Sequence, residues 1–112
     1  AYILLDGGTH TSVQKISKTE PLDMNDMDLV LSHALAGQYL GNKIIYFDCG
    51  SGSINIIKTD LLKYISENID IPIMVGGGIK SNDDIKSLIK AGASYIVIGN
   101  ILEDVSKRSL FK

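Results

Sequence analysis

Cysteine is almost absent. Cys49 stands alone, so no internal disulfide can form, and a reducing, cytoplasmic compartment is expected. No His or second thiol lies at metal-ligand spacing around it, which leaves a small buried filler as its expected role. An excess of charge is missing too. The formal net charge is −2, which gives no general attraction to nucleic acid or to an anionic membrane. No apolar run approaches the ~20 residues of a bilayer-crossing helix, and nothing resembles a signal or transit peptide. There is no initiator Met, and the chain opens on the strand-like run Tyr2–Leu5. A fragment of a longer protein is therefore expected, with the outer edge of its first strand unpaired and open to association. At 112 residues, the chain suits one small domain or half of a large one.

Glycine, by contrast, is concentrated. In Pro72-Ile73-Met74-Val75-Gly76-Gly77-Gly78-Ile79-Lys80-Ser81, a short apolar run reads as a strand buried on both faces. Three glycines remove every Cβ from the turn that follows, so a ligand can approach the backbone amides. Ser81 can cap the next helix, and Asp84 completes a box-like start. Bare amides before a helix N-terminus suit an anion, phosphate above all. A tight strand-to-helix corner is the plainer alternative.

The remaining chain repeats strand then helix. Tyr2 to Asp6 leads to Gly7-Gly8 and a long polar loop, Thr9 to Pro21, with His10, Thr11 and Ser12 near its start. Long loops in compact domains are usually functional or mobile. A helix from about Asn25 to Tyr39 carries Met27, Val30, Leu31, Ala34 and Leu35 at helical spacing, with Asp23 or Asn25 as cap, Gly41 as stop and His33 off the stripe. Lys43 to Asp48 is the second strand and leads into Cys49-Gly50-Ser51-Gly52-Ser53. Tyr46 and Asp48 share one face, Ile45 and Phe47 the other. A helix from about Thr59 to Asn68 follows. The glycine-loop strand is third, with a helix from Asn82 to Lys90 whose Ile85, Leu88 and Ile89 share a face. Ser94 to Ile98 is the fourth strand, before Gly99-Asn100 and a last helix near Leu102 to Lys107.

This order fits an open doubly wound sheet or a closed (β/α)8 barrel. Both place ligands at the carboxyl ends of the strands. Those ends carry Asp6-Gly7-Gly8, Asp48-Cys49-Gly50-Ser51-Gly52, Gly76-Gly77-Gly78 and Gly99-Asn100, whereas the opposite ends read as plain connectors. Two adjacent glycine-rich ends match the phosphate site formed after the seventh and eighth strands of many barrels. Taken alone, Gly99-Asn100 has a helix cap as its plainer alternative, which the neighbouring glycine loop makes less favoured. Asp48 could accept a substrate hydroxyl and take its proton, or cap its own turn.

Taken together, these residues resemble the C-terminal half of the geranylgeranylglyceryl phosphate synthases. The likeness runs through Asp6-Gly7-Gly8 with Thr11-Ser12-Val13, Ala34-Leu35-Ala36-Gly37-Gln38, Tyr46-Phe47-Asp48-Cys49-Gly50-Ser51-Gly52, Val75 to Ser81, Ala91-Gly92-Ala93 and Gly99-Asn100-Ile101-Leu102-Glu103. The glycine loop is common to many phosphate-binding barrels. The Tyr46 strand with Gly50-Ser51-Gly52, joined to Gly99-Asn100, is far more specific.

The resemblance implies an α/β fold of four βα units, residues 1–112 forming the C-terminal half of a TIM-type barrel whose N-terminal half is absent. It implies a prenyltransferase that moves a prenyl group from a prenyl diphosphate to sn-glycerol 1-phosphate. Phosphate contacts would fall on Gly76, Gly77, Gly78, Gly99 and Asn100, and glycerol contacts on Tyr46 and Asp48, with Gly52 in the same substrate site. Mg²⁺ is implied as cofactor, its ligand in the missing half. Asp48 departs from the family's usual Glu, and Cys49 and Ser53 from its usual Ala. The alternatives are another phosphate-binding barrel, such as a phosphoribosyl isomerase or an FMN-dependent enzyme, and a non-catalytic half-barrel folding unit. A half-barrel exposes two sheet edges and an apolar face, so a homo-oligomer is expected.

Overall fold

The computed structural model describes residues 1–8, 21–50 and 53–98. Within them the elements are β1 (Tyr2–Leu4), α1 (Met27–Tyr39), β2 (Ile45–Asp48), α2 (Thr59–Ser66), β3 (Ile73–Gly76), α3 (Asn82–Ala91) and β4 (Tyr95–Val97). The helix expected at 102–107 lies outside the described residues. Neighbouring strands are all parallel, and their spatial order β1-β2-β3-β4 repeats the chain order. This order decides between the two architectures. A doubly wound sheet reverses its strand order at a switch point, whereas right-handed crossovers that never reverse keep every helix on one face. The fold is α/β, with three βα units and a fourth strand described, arranged as in the C-terminal half of a (β/α)8 barrel.

Register assigns the two faces. Ile3, Phe47, Val75 and Ile96 stand in one row, and Tyr2, Tyr46, Met74 and Tyr95 in the next. The first row meets the helices, where Phe47 and Val75 are fully buried with Ile45, Val30, Ala34, Leu61, Leu62, Ile65 and Leu88. The second row lines the opposite, inner face, where Tyr2 and Tyr95 remain 50% and 56% exposed. Burial of β3 on both faces is therefore corrected: Ile73 and Val75 are buried, but Met74 on the inner face is only half-buried. The described helices cover one side of the sheet alone.

Several boundaries move for local reasons. Helix α1 starts at Met27 and is capped by Asp26, whose side chain accepts from the Leu29 N–H, not by Asp23 or Asn25. Asp23 instead closes the preceding turn, accepting from the Asn25 N–H at 2.9 Å. Helix α2 ends at Ser66, short of Asn68, because the Asn68 and Ile69 amides both turn back to the Ile65 carbonyl. Ser81 caps α3 by accepting from the Asp84 N–H, as expected, but the Asp84 carboxylate accepts from Lys80 N–H, so the reciprocal box closes one residue early. Ile89 is 57% exposed and leaves the buried face to Leu88 and Ala91. The outer edge of β1 is not wholly unpaired either. Leu22 returns beside it, donating to the Leu4 carbonyl and accepting from the Asp6 N–H, both at 2.9 Å.

The glycine corner has a packing cause of its own. Gly77 and Gly78 have φ of 90° and 77°, a region in which side-chain-bearing residues are strained. A Cβ on Gly77 would lie 2.8 Å from the Gly50 nitrogen, and one on Gly78 only 2.3 Å from the Asn55 carbonyl oxygen. The exits of β2 and β3 thus pack backbone to backbone. Gly78→Ala is expected to cost about 1–3 kcal/mol of stability through left-handed strain alone, with the Asn55 contact adding to it. Urea denaturation checks this, and an unchanged midpoint would show that the corner relaxes around a methyl group.

Candidate functional site

Strand alternation brings Tyr46 and Asp48 to the inner face, and parallel register sets Asp48 beside Gly76. The Tyr46 hydroxyl lies 2.8 Å from where a Cβ on Gly76 would stand. Glycine there makes room for the phenol at the mouth of the sheet. Asp48 is held at both oxygens. Oδ1 accepts from the Gly50 N–H at 2.7 Å, and Oδ2 accepts from the Tyr2 hydroxyl at 2.5 Å. The first contact is the turn-capping role the sequence left open. The second crosses from β1 and leaves the carboxylate beside two phenols, with the Tyr2 and Tyr46 rings 5.4 Å apart and tilted by 48°.

Charge and burial act in one direction here. Partial burial pushes the Tyr2 hydroxyl far above the usual tyrosine value, reinforced by its bond to Asp48 and by that carboxylate's charge. Tyr46 is raised by burial first, then by the charges of Asp48 and Cys49. Both phenols remain neutral donors. Burial pushes the Cys49 thiol up to about 12, with Asp48 and Asp6 adding repulsion. Cys49 is fully buried, the small filler expected.

The loop after β2 ties the neighbouring exits together. Ser53, 3% exposed, reaches the carbonyls of Gly7 and Asn55 with its hydroxyl at 3.0 and 2.8 Å. The Asn55 N–H donates to the Gly7 carbonyl. Lys80, beyond the glycine corner, donates its ammonium to the Ile54 carbonyl at 2.7 Å. The exits of β1, β2 and β3 are therefore joined by hydrogen bonds and by the glycine packing described above.

Of the residues singled out in the sequence, Tyr46, Asp48, Gly76, Gly77 and Gly78 converge at this edge. Gly52, Gly99 and Asn100 lie outside the described residues, as do His10, Thr11 and Ser12. Tyr2 was missed. Aligning Asp6-Gly7 with Asp48-Cys49 by eye would pair Asp6 with Asp48, but the register pairs Leu4 with Asp48 and Tyr2 with Tyr46. Its signal was only that Tyr2 falls an even number of residues before its strand's end, as Tyr46 does. No metal site emerges: among the described residues no three His, Cys, Asp or Glu side chains are grouped to hold an ion. A shallow depression of about 310 Å³ lies at the opposite, amino-terminal ends, among Asp70, Pro72, Gly92 and Ser94. Among the described residues no helix is long and apolar enough to cross a membrane.

A sheet of consecutive parallel strands, with phenols, a carboxylate and a glycine corner at its carboxyl ends, defines part of a (β/α)8 barrel, and that rim is the candidate site. A profile described as the PcrB family matches residues 1–111, and the chain belongs to that family. It is 45% identical over 105 residues to a geranylgeranylglyceryl phosphate synthase of Flavobacterium johnsoniae, covering 94% of this chain and 43% of the relative. A synthase of the same name from Pyrococcus abyssi is 36% identical, covering 98% and 45%. A crystal structure of (S)-3-O-geranylgeranylglyceryl phosphate synthase from Thermoplasma acidophilum, in complex with substrate sn-glycerol-1-phosphate, superposes with a TM-score of 0.90 at 36% identity, covering 98% of this chain and 44% of that one. The chain spans less than half the length of these relatives.

The raised Cys49 thiol predicts an alkaline weakness. An unfolded thiol ionises near its ordinary value of 9.0, whereas the folded one holds its proton to about 12. Stability from this group is thus complete below pH ~9 and is lost as pH rises from there toward ~12. Tyr2 and Tyr46 act in the same sense at higher pH. Urea midpoints are expected to fall between pH 8 and 10.5, less steeply in Cys49→Ala. Identical slopes in the two proteins would exclude the thiol as the cause.

Proposed function

We propose that this chain supplies the acceptor side of a prenyltransferase site, in which a prenyl group passes from a prenyl diphosphate to a hydroxyl of sn-glycerol 1-phosphate. The observation that carries this reading is the juxtaposition of Asp48 and Tyr46 with the Gly76 corner on one rim. It is supported by family membership and by relatives named for that synthase. The acceptor is supported by the Thermoplasma acidophilum relative, whose crystal structure holds sn-glycerol-1-phosphate.

The chemistry divides the work. The phosphate would rest against Gly76 to Gly78, with Gly99 and Asn100 completing its seat and Gly52 nearby. Tyr46 and Asp48 would take the glycerol hydroxyls. As the allylic carbon–oxygen bond breaks, its electron pair leaves with diphosphate. The acceptor oxygen then bonds to the allylic carbon and its proton passes to Asp48. Among the described residues no three His, Cys, Asp or Glu side chains are grouped to hold a divalent ion. Mg²⁺, if used, belongs to residues elsewhere in the barrel, and none of these steps runs through it. The chain would act as residues 1–112 of a C-terminal half-barrel within a complete one. Its exposed inner row, Tyr2, Tyr95 and the 37% exposed Val97, favours association when the chain is alone, as a homo-oligomer or with the other half.

Asp48→Asn keeps the side chain's size and removes its charge and basicity. In the complete barrel it is expected to lower prenyl transfer to labelled sn-glycerol 1-phosphate by about 10²-fold. Gly77→Leu is expected to abolish binding of sn-glycerol 1-phosphate in calorimetry, because a side chain there would strike the Gly50 backbone. Near-normal turnover of Asp48→Asn, with binding lost in Gly77→Leu, would leave Asp48 as a turn residue and remove it from the chemistry.

A further inference from the structure

We infer that Tyr2 is a positioning residue, whose hydroxyl sets the orientation of the Asp48 carboxylate toward the acceptor. This rests on the reading of Asp48 above. Three observations carry it. The Tyr2 hydroxyl donates to Asp48 Oδ2 at 2.5 Å, a short bond to a charged acceptor. The other oxygen is held by the Gly50 N–H, so the two contacts grip the carboxylate from two sides. Tyr2 is itself placed by β1, directly opposite Tyr46 in register and in tilted ring contact with it.

A carboxylate has two oxygens and about four lone-pair directions. One on each oxygen is taken by Tyr2 or Gly50, which leaves one on each for a substrate hydroxyl. With the Gly50 amide alone, the group can still turn about its last side-chain torsion, a broad and weakly restricted one for Asp. The Tyr2 bond removes that freedom. Burial and the adjacent carboxylate keep the phenol protonated, so it donates across the working pH range. A fixed carboxylate matters most when the acceptor proton moves, and less for holding the phosphate end. Losing the Tyr2 hydroxyl therefore acts on kcat more than on KM.

The test is a double-mutant cycle in the complete barrel, with Tyr2→Phe, Asp48→Ala and the pair together. Tyr2→Phe retains the ring and its contact with Tyr46. It is expected to lower kcat for prenyl transfer about ten- to a hundred-fold, the range for one hydrogen bond to a charged group, with KM for sn-glycerol 1-phosphate changed less than threefold. In the Asp48→Ala background the same change is expected to have no further effect. Equal losses in both backgrounds, or no loss in either, would overturn the inference while leaving Asp48's role intact. If Asp48→Ala itself transfers prenyl groups normally, the reading of Asp48 fails and this inference with it. A readout free of activity guards against misfolding: ultraviolet titration is expected to show both Tyr2 and Tyr46 ionising at lower pH in Asp48→Ala than in the unaltered protein, since both feel the Asp48 charge, and a smaller change, from Tyr46 alone, when the comparison is made in Tyr2→Phe. A change of the same size in both backgrounds would mean that the Tyr2 contact is not made in solution.

Discussion

The exits of β2 and β3 lie so close that only backbone fits between them. A side chain on Gly77 would strike Gly50, and one on Gly78 would strike Asn55. The Cys49 N–H donates to the Gly76 carbonyl at 3.0 Å, extending the ladder past the last strand residue. Much else follows from this contact. It sets Asp48 level with Gly76, brings the Tyr46 hydroxyl over the bare Gly76 backbone, and presses the loop at 53–57 against the corner. The glycines that make a phosphate seat conceivable are thus first a condition of packing. Both demands favour the same residue type, which is why the sequence alone could not separate them.

Asp48 shows how a turn residue can serve its own turn and still reach a second strand. Its bond to the Gly50 amide is the ordinary business of an Asp at a strand end. That bond spends one lone pair and fixes one oxygen. The second oxygen is reached from a different strand, through Tyr2. The same carboxylate therefore closes its own turn and joins β1 to β2 at the rim. Capping and chemistry are compatible because an ionised carboxyl has more acceptor capacity than a turn consumes.

The two faces of the sheet differ in what covers them. Helices cover the row of Ile3, Phe47 and Val75, and the apolar stripes of α1, α2 and α3 complete that core. On the inner face, the row of Tyr2, Tyr46, Met74 and Tyr95 is left half open. Phenols suit such a layer, since each brings an apolar ring and a polar tip. Family membership is consistent with this division, since the chain matches under half of each relative's length while retaining their fold at a TM-score of 0.90.

Alternation and punctuation in the sequence were enough for the order of strands and helices, because apolar periodicity and glycine stops are local. Polar and glycine-rich residues at one end of each strand pointed to the rim for the same reason. Asp48 and Tyr46 sharing a face followed from the period of two in a strand. Three things were beyond it. The choice between open sheet and barrel depended on which strands are neighbours, and spatial order is not written in any single segment. The capping of α1 by Asp26 in place of Asp23 depended on how the preceding turn folds. The partnership of Tyr2 with Asp48 depended on register, a relation between strands 46 residues apart in the chain. Local chemistry determined the elements and their polarity; only the pairing of distant backbone decided which side chains would meet.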